Sequence, residues 1–357
     1  MRLPRLAAAA VAAAALAVIA APTTASAAPT VTERTATGVD VYTSQESDKE
    51  IREYWTPERM KQASPMEAPK AKPGKRPVDS PAKRMKLSAS AKGVMPNATT
   101  TQLNAAAATT VSVAQEVPYT NNPAYNTVGK LFFKMPDGTP KECSASSILS
   151  KNKSTIWTAG HCVHLGNGSG DAGWMRSIKY VPGYRNGEEP LGSWTAQRMY
   201  APSTWTAEGD TKESDMAAIV LNPVLVYGTL ENAVGGALGY QFTENGTDFT
   251  DVHAVGYPVE GNNRTDLNGQ RMMYCRGNTT DYSSFNPFDD RIAISCDMEG
   301  GASGGPYIDN LIEGAPVIIG AVSHHVEDQA GNRVDDKLLS SEHGANAAAV
   351  INAANAT

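Results

Sequence analysis

Eleven residues near the C-terminal third, C-D-M-E-G-G-A-S-G-G-P from Cys296 to Pro306, set one serine among glycines. Such a turn presents the Ser303 hydroxyl to a bound molecule. Gly301 and Gly304 have no Cβ, so the backbone can take angles closed to other residues and a carbonyl can come close to its amides. The N–H groups of Gly301 and Ser303 can then converge on a developing oxyanion, the term that usually dominates acyl transfer. The plain alternative is an ordinary serine in a glycine-rich hairpin. A serine hydroxyl attacks only when a base takes its proton and a third group fixes the base. The chain has six histidines. His161, in W-T-A-G-H-C, ends an apolar run beside a cysteine that can pin its loop, and it is the candidate base. His164 reads as polar surface. His324 and His325 follow a strand end and could line a pocket, but a metal pair there lacks a third ligand of suitable spacing, so no metal site is expected. Asp215, opening the apolar run S-D-M-A-A-I-V-L, is the candidate orienting carboxylate, whereas Asp210 sits in the polar stretch E-G-D-T-K-E and reads as solvated.

The elements that must hold these groups are short. From about Pro118 onward, β-rich runs alternate with Gly, Pro, Asn and Asp: Val128–Met135, Ser144–Ser150, Ser154–Ala159, Met216–Leu221, Asp251–Tyr257, Arg291–Cys296 and Pro316–Ser323. Many short strands with turn signals between them predict an all-β antiparallel barrel or sandwich over residues 118–357, divided into two sub-barrels. Asn346–Asn355 is the one strong helical candidate there.

The first 117 residues differ. Arg2 and Arg5 precede an alanine-rich apolar run that Pro22 breaks before A-S-A at Ala27, so residues 1–27 read as a cleavable secretory signal and the product as secreted. Residues 28–117 read as a propeptide or linker, basic and low in structure, with a helical piece at Glu50–Met60 interrupted by Pro57. Lys75-Arg76 and Lys83-Arg84 are candidate processing points. The formal net charge of −6 hides an asymmetry: residues 28–115 carry 13 Lys+Arg against 9 Asp+Glu, and residues 116–357 carry 16 against 28. An acidic body argues against nucleic acid or an anionic membrane as partner, and a basic leader could dock on it electrostatically. Four cysteines in a secreted chain read as two disulfides; of the three connectivities, Cys143–Cys162 and Cys275–Cys296 are favoured because each closes a short loop.

In this order W-T-A-G-H-C, S-D-M-A-A-I-V-L and G-G-A-S-G-G-P resemble the three signatures of the chymotrypsin/trypsin-like serine proteases, over residues 120–357. The resemblance implies two antiparallel six-stranded β-barrels with a C-terminal helix, preceded by a largely disordered leader. It implies a serine endopeptidase without cofactor, a monomer acting on protein or peptide substrates, with its own propeptide as partner. His161 would be the general base, Asp215 its orienter, Ser303 the nucleophile, and Gly301 with Ser303 the oxyanion hole. Cys143–Cys162 would brace the histidine loop, and Ser323 would stand near the buried aspartate on a strand that pairs with substrate. G-Y-P at Gly256–Pro258 is similar to the pattern of secreted bacterial glutamyl endopeptidases. Ala302 stands where pancreatic-type enzymes carry the aspartate that binds a freed N-terminus, so that activation route is closed. Asp297 stands where trypsin-like enzymes place the acid that selects Lys or Arg; it reads equally as a turn residue. Val322 stands where the glutamyl group has its selecting histidine, a role His324 fills only with a shift of two residues. The competing functions are a catalytically inactive binding protein of the same fold and an esterase with the same three residues.

Overall fold

Apolar β-formers between Gly, Pro and Asn breaks give nineteen strands among the described residues, which are 32–67, 86–95, 110–118, 123–282, 289–311 and 314–357 of a computed structural model. The leader contributes β1 (Thr32–Arg34), β2 (Val39–Thr43), β3 (Ser64–Pro65), β4 (Lys86–Ala91) and β5 (Val111–Glu116). The first half of the body contributes β6 (Val128–Lys134), β7 (Pro140–Ile148), β8 (Thr155–Thr158), β9 (Arg176–Pro182), β10 (Trp194–Pro202) and β11 (Ala217–Leu221). The second half contributes β12 (Gly239–Glu244), β13 (Val252–Gly256), β14 (Met273–Gly277), β15 (Thr280–Asp281), β16 (Ile292–Ser295), β17 (Pro306–Asp309), β18 (Val317–Ala321) and β19 (Lys337–Ser340).

Strands β6–β11 close on themselves in the order β10-β11-β8-β7-β6-β9, with β9 pairing back to β10. Every one of these pairs is antiparallel. The barrel is filled from inside by Leu131, Phe133, Ile156, Ile178, Tyr180, Trp194, Met199 and Ile219, all buried. The expected second barrel does not close through ladders among the described residues, and its strands fall in two sheets. β14-β13-β17-β18 form part of a seven-stranded sheet, whereas β16 and β19 belong to a separate three-stranded one. Backbone bonds from Ser323 N to Leu339 O (2.8 Å) and from Leu339 N to His324 O (2.8 Å) join β18 to β19. Between β14 and β16 no ladder runs among the described residues, and the disulfide Cys275–Cys296 spans that seam instead. The other disulfide is Cys143–Cys162, so both pairings are those favoured from the sequence. The C-terminal helix Ala345–Asn355 packs Ala347, Val350, Ile351 and Ala354 into the core with Val39, Trp157 and Phe242.

The leader departs from its low-structure expectation wherever it is described. β2 pairs with β10 and carries β1 outward, β3 pairs with β7, β4 with β12, and β5 with β14. The helical piece is two helices, α1 (Asp48–Tyr54) and α2 (Pro57–Gln62), separated just ahead of Pro57. Ser47 and Glu50 close a capping box on α1, and Thr56 caps α2 with Pro57 at its first position. Ile51, Trp55 and Met60 are buried, Trp55 lying on Phe132 and donating to Ser177 O at 2.5 Å. Composition misses this because the segment cannot bury these side chains alone; it borrows the outer face of the first barrel. Charges of both signs join leader to body, Lys86 lying 3.6 Å from Glu244 as a basic leader on an acidic body requires. The leader's carboxylates meet the body, Glu46 on Ser177 and on Lys134 at 3.4 Å, and Asp48 on Thr195 at 2.6 Å. The signal segment, Lys75-Arg76 and Lys83-Arg84 lie outside the described residues.

Candidate active site

His161 occupies a single 3-10 turn, Gly160–Cys162, at the end of β8, and Cys162 ties that turn to β7 through Cys143. Asp215 precedes β11, the neighbour of β8, with Ala217 opposite Thr158. The ladder therefore brings both side chains to one barrel edge. The Asp215 carboxylate accepts from His161 Nδ1 at 2.9 and 3.1 Å and from the His161 backbone N–H at 2.8 Å, and Ser323 Oγ donates to it at 2.5 Å. Ser341 Oγ takes the Asp215 amide at 3.2 Å. Asp215 is fully buried; burial alone pushes its pKa up, but His161 and the donors from His161 and Ser323 outweigh that and hold it below the usual carboxylate value. With Nδ1 committed to the carboxylate, Nε2 of His161 is the free nitrogen: it is buried and has no hydrogen-bond partner among the described residues.

Ser303 lies in the loop between β16 and β17, and both halves of the body fix it. Ser144 N donates to Ser303 O at 2.7 Å, and Gly304 N to Val322 O at 2.7 Å. A Cβ on Gly304 would fall 2.1 Å from Thr158 Oγ1 and 3.0 Å from Ala159 N, which places the Ser303 loop against the two residues leading into the His161 turn. Gly304 has φ +79° and Gly301 φ +95°, so glycine is required at both on conformational grounds as well.

The two amides singled out in the sequence are oriented by their own peptide carbonyls. Gly300 O accepts from Val259 N (2.7 Å) and Glu260 N (3.2 Å), and Ala302 O accepts from Gly305 N (2.9 Å). In a trans peptide the N–H points opposite to the C=O. Anchoring these two carbonyls therefore turns the Gly301 and Ser303 N–H groups the other way. Ala302, Gly304 and Gly305 spend their amides on backbone acceptors; among the described residues those of Gly301 and Ser303 remain unspent. Ser144 adds a brace, its Oγ donating to Gly301 O at 2.9 Å and accepting from Tyr257 N at 2.8 Å.

Three sequence readings are corrected. Asp297 is no open acid: one oxygen accepts from Ala114 N of β5 at 2.7 Å and the other from Arg264 Nη1 at 3.1 Å. A carboxylate already paired and hydrogen-bonded has little left for a cationic ligand. His324 is buried, with one ring nitrogen on Ser323 Oγ and the other on Arg291, so it is turned away from ligand. His164 is fully buried, accepting from Gly166 N at 3.0 Å and lying 3.0 Å from Gly170 O. Ser323 is where its reading put it, at Asp215. Sequence reasoning missed Ser144, whose only sign was its place after Cys143, and Arg291, which looked like the first residue of a strand.

Taken together, a buried imidazole with one free nitrogen, a serine beside its turn and two outward amides can carry out nucleophilic acyl transfer. No protein-family model and no curated protein sequence matches the chain. Solved structures do. The protease Anisep from Arthrobacter nicotinovorans is 29% identical, with 68% of this chain and 100% of that chain covered at a TM-score of 0.57. The thermostable serine protease AL20 from an extremophilic microorganism is 30% identical, with 66% and 99% covered at a TM-score of 0.55. A Glu endopeptidase shares the fold at 19% identity and a TM-score of 0.51, with 68% and 97% covered.

Proposed function

The chain belongs to the trypsin-like serine proteases, and from that premise we propose that it is a secreted endopeptidase acting through an acyl-enzyme on Ser303. His161 Nε2 takes the Ser303 proton as the hydroxyl attacks a peptide carbonyl, then returns it to the leaving amine. Asp215 holds the imidazole and stabilises the imidazolium. The Gly301 and Ser303 N–H groups receive the oxyanion of each tetrahedral intermediate. The observation that carries this reading is the pair of unspent amides beside Ser303, next to an imidazole whose second nitrogen is free. An inactive relative has no need to keep two peptide planes turned outward.

The leader is read as a propeptide that restrains the enzyme. Its strand β3 lies on Lys141 and Glu142, with Met66 N donating to Glu142 O at 2.9 Å. A Cβ on Gly300, the residue before the first oxyanion amide, would stand 3.1 Å from Pro65. Protein and peptide substrates that reach this rim compete with the leader for it.

The test is labelling by a fluorophosphonate. Wild-type protein is expected to carry one adduct, on Ser303, and Ser303→Ala none, with peptide hydrolysis abolished and the thermal transition kept. Hydrolysis surviving in Ser303→Ala would mean another nucleophile. Labelling that is no faster in a chain beginning at Thr110 than in the full chain would remove the restraining role.

A further inference from the structure

Behind Asp215 the hydrogen bonds continue. The Asp289 carboxylate accepts from Arg291 Nε at 2.7 Å and Nη2 at 2.6 Å. The remaining corner of the guanidinium, Nη1, lies 2.8 Å from His324 Nε2; His324 Nδ1 lies 2.8 Å from Ser323 Oγ; and Ser323 Oγ lies 2.5 Å from Asp215 Oδ2. All five residues are buried, none more than 5% exposed.

A guanidinium only donates. His324 Nε2 must therefore accept, which leaves the single imidazole proton on Nδ1, where it donates to Ser323 Oγ. Ser323 has one proton, and with its oxygen receiving from His324 that proton goes to Asp215. The opposite polarity would turn the Ser323 hydroxyl to His324 and aim a lone pair at the carboxylate; Arg291 forbids it. We propose that Arg291 and His324 are positioning residues for the acyl transfer, setting through one imidazole tautomer the Ser323 hydroxyl that holds Asp215 in place for His161. The proposal rests on the catalytic reading given above.

The surroundings fit this use. Lys212 sits 3.5 Å from Asp289, and Arg291 lies over the Tyr282 ring at 4.8 Å, whose hydroxyl donates to Asp335 at 3.2 Å. His161, His325 and Asp215 are the other titrating groups acting on His324, and His343 lies near Asp215. Burial foremost, then Arg291, depresses the His324 pKa to about 3, so the imidazole is neutral near neutral pH.

The experiment measures the second-order rate of Ser303 labelling by a fluorophosphonate in the full chain, over pH. His324→Phe fills the space without donor or acceptor; His324→Asn leaves a void but puts an N–H where Nδ1 was. His324→Phe is expected to slow labelling roughly ten- to a hundredfold. It is also expected to move the acid limb to higher pH, because a Ser323 hydroxyl that no longer receives from His324 donates more weakly to Asp215, which then holds the His161 imidazolium more firmly. His324→Asn is expected to recover most of the loss. Were packing the whole role of His324, the order would reverse, with Phe near the wild-type rate and Asn below it; that result, or an acid limb unmoved in His324→Phe, overturns the proposal. Arg291→Lys keeps the charge beside Asp289 but cannot reach both partners, and it decides the matter if His324→Phe does not fold. Slowing of several-fold sustains the relay, and the wild-type rate ends it. A wild-type chain that takes no adduct on Ser303 overturns the catalytic reading itself and the relay with it, an outcome distinct from a labelled wild type with indifferent variants.

Discussion

The two halves of the body differ in closure, and the candidate site is divided along that difference. The first closes through backbone ladders all the way round, and it places His161 and Asp215 at the ends of neighbouring strands. The second leaves β14 and β16 unladdered, and relies there on the Cys275–Cys296 bridge. The nucleophile loop it carries is held by single groups: Ser144 Oγ and N, the Val259 amide, and the Val322 carbonyl. Repetition of backbone bonds makes the first arrangement tolerant, since losing one pair leaves the others. An arrangement of single contacts is sensitive to each of them. The proposed base and acid thus stand on the redundant half, the proposed nucleophile and oxyanion amides on the other.

The hardest blow to this division falls where the halves meet. Gly304→Val adds a branched side chain at φ +79°, against Thr158 Oγ1 and Ser144 O at 2.1 and 2.4 Å from Cβ alone. Strained backbone and overlap of the side chain with a hydroxyl and a backbone carbonyl together should cost more than about 5 kcal/mol, with no folded product. A soluble variant with a cooperative thermal transition would mean that the seam yields. Next comes the leader's hold on the first barrel. Trp55→Ala removes a side chain only 2% exposed and should lower stability by about 3–5 kcal/mol. Hydrogen exchange should then rise in α1, α2, β2 and β10, while β4 and β5, bound to the other sheet, keep their protection. Uniform loss of protection would show one cooperative unit rather than two.

The disulfides offer a sharper contrast, because their loops are nearly equal, 19 and 21 residues apart. Loop entropy alone assigns each about 3 kcal/mol. Replacing Cys275 and Cys296 by serine should nevertheless lower the melting temperature further than replacing Cys143 and Cys162. β7, which bears Cys143, stays laddered to β6 and β8, whereas the link between β14 and β16 goes with the bond. Equal losses would erase the distinction between the halves.

The same contrast governs how much could be read from sequence. β6, β8, β11, β13, β16 and β18 were visible because their apolar runs stand between turn residues. β9, β10 and β14 were not: K-Y-V-P, T-A-Q-R-M-Y and M-Y-C-R-G mix charge and polarity, and their burial comes from pairing partners distant in the chain. His161, Asp215 and Ser303 were legible because short motifs surround each. Asp297 misled, since its motif position says nothing of Arg264, 33 residues away, or Ala114, 183 away. His324 misled likewise: a strand-end histidine looks solvent-facing until Arg291 is found behind it. The helical piece at Glu50–Met60 and its break at Pro57 were legible, but the caps at Ser47 and Thr56 and the barrel face the helices needed were not.

The smallest effect comes from protons in the second half. His253 and His343 have pKa values pressed to about 4, and His324 to about 3, in each case by burial before anything else. A histidine depressed in the folded state binds fewer protons there than when unfolded, so its stability is present above 6.5 and drains away as pH falls towards 4. Glu342 runs the other way. Burial, with help from Asp290, Glu213 and Glu244 and against the Asn245 N–H, raises it from 4.5 to about 7, so the folded state loses stability as pH climbs from 4.5 to 7. Its removal should therefore help only where it is charged. Glu342→Gln is expected to stabilise the protein by about 2 kcal/mol at pH 7 and to leave it unchanged at about pH 4, read by denaturant titration at both. The three histidines remain, so the variant's stability should fall more steeply between pH 7 and 4.5, while below that window it follows the wild type. A gain of the same size at both pH values would assign the effect to packing around Glu342, and the second half would have lost one of its charge-sensitive contacts.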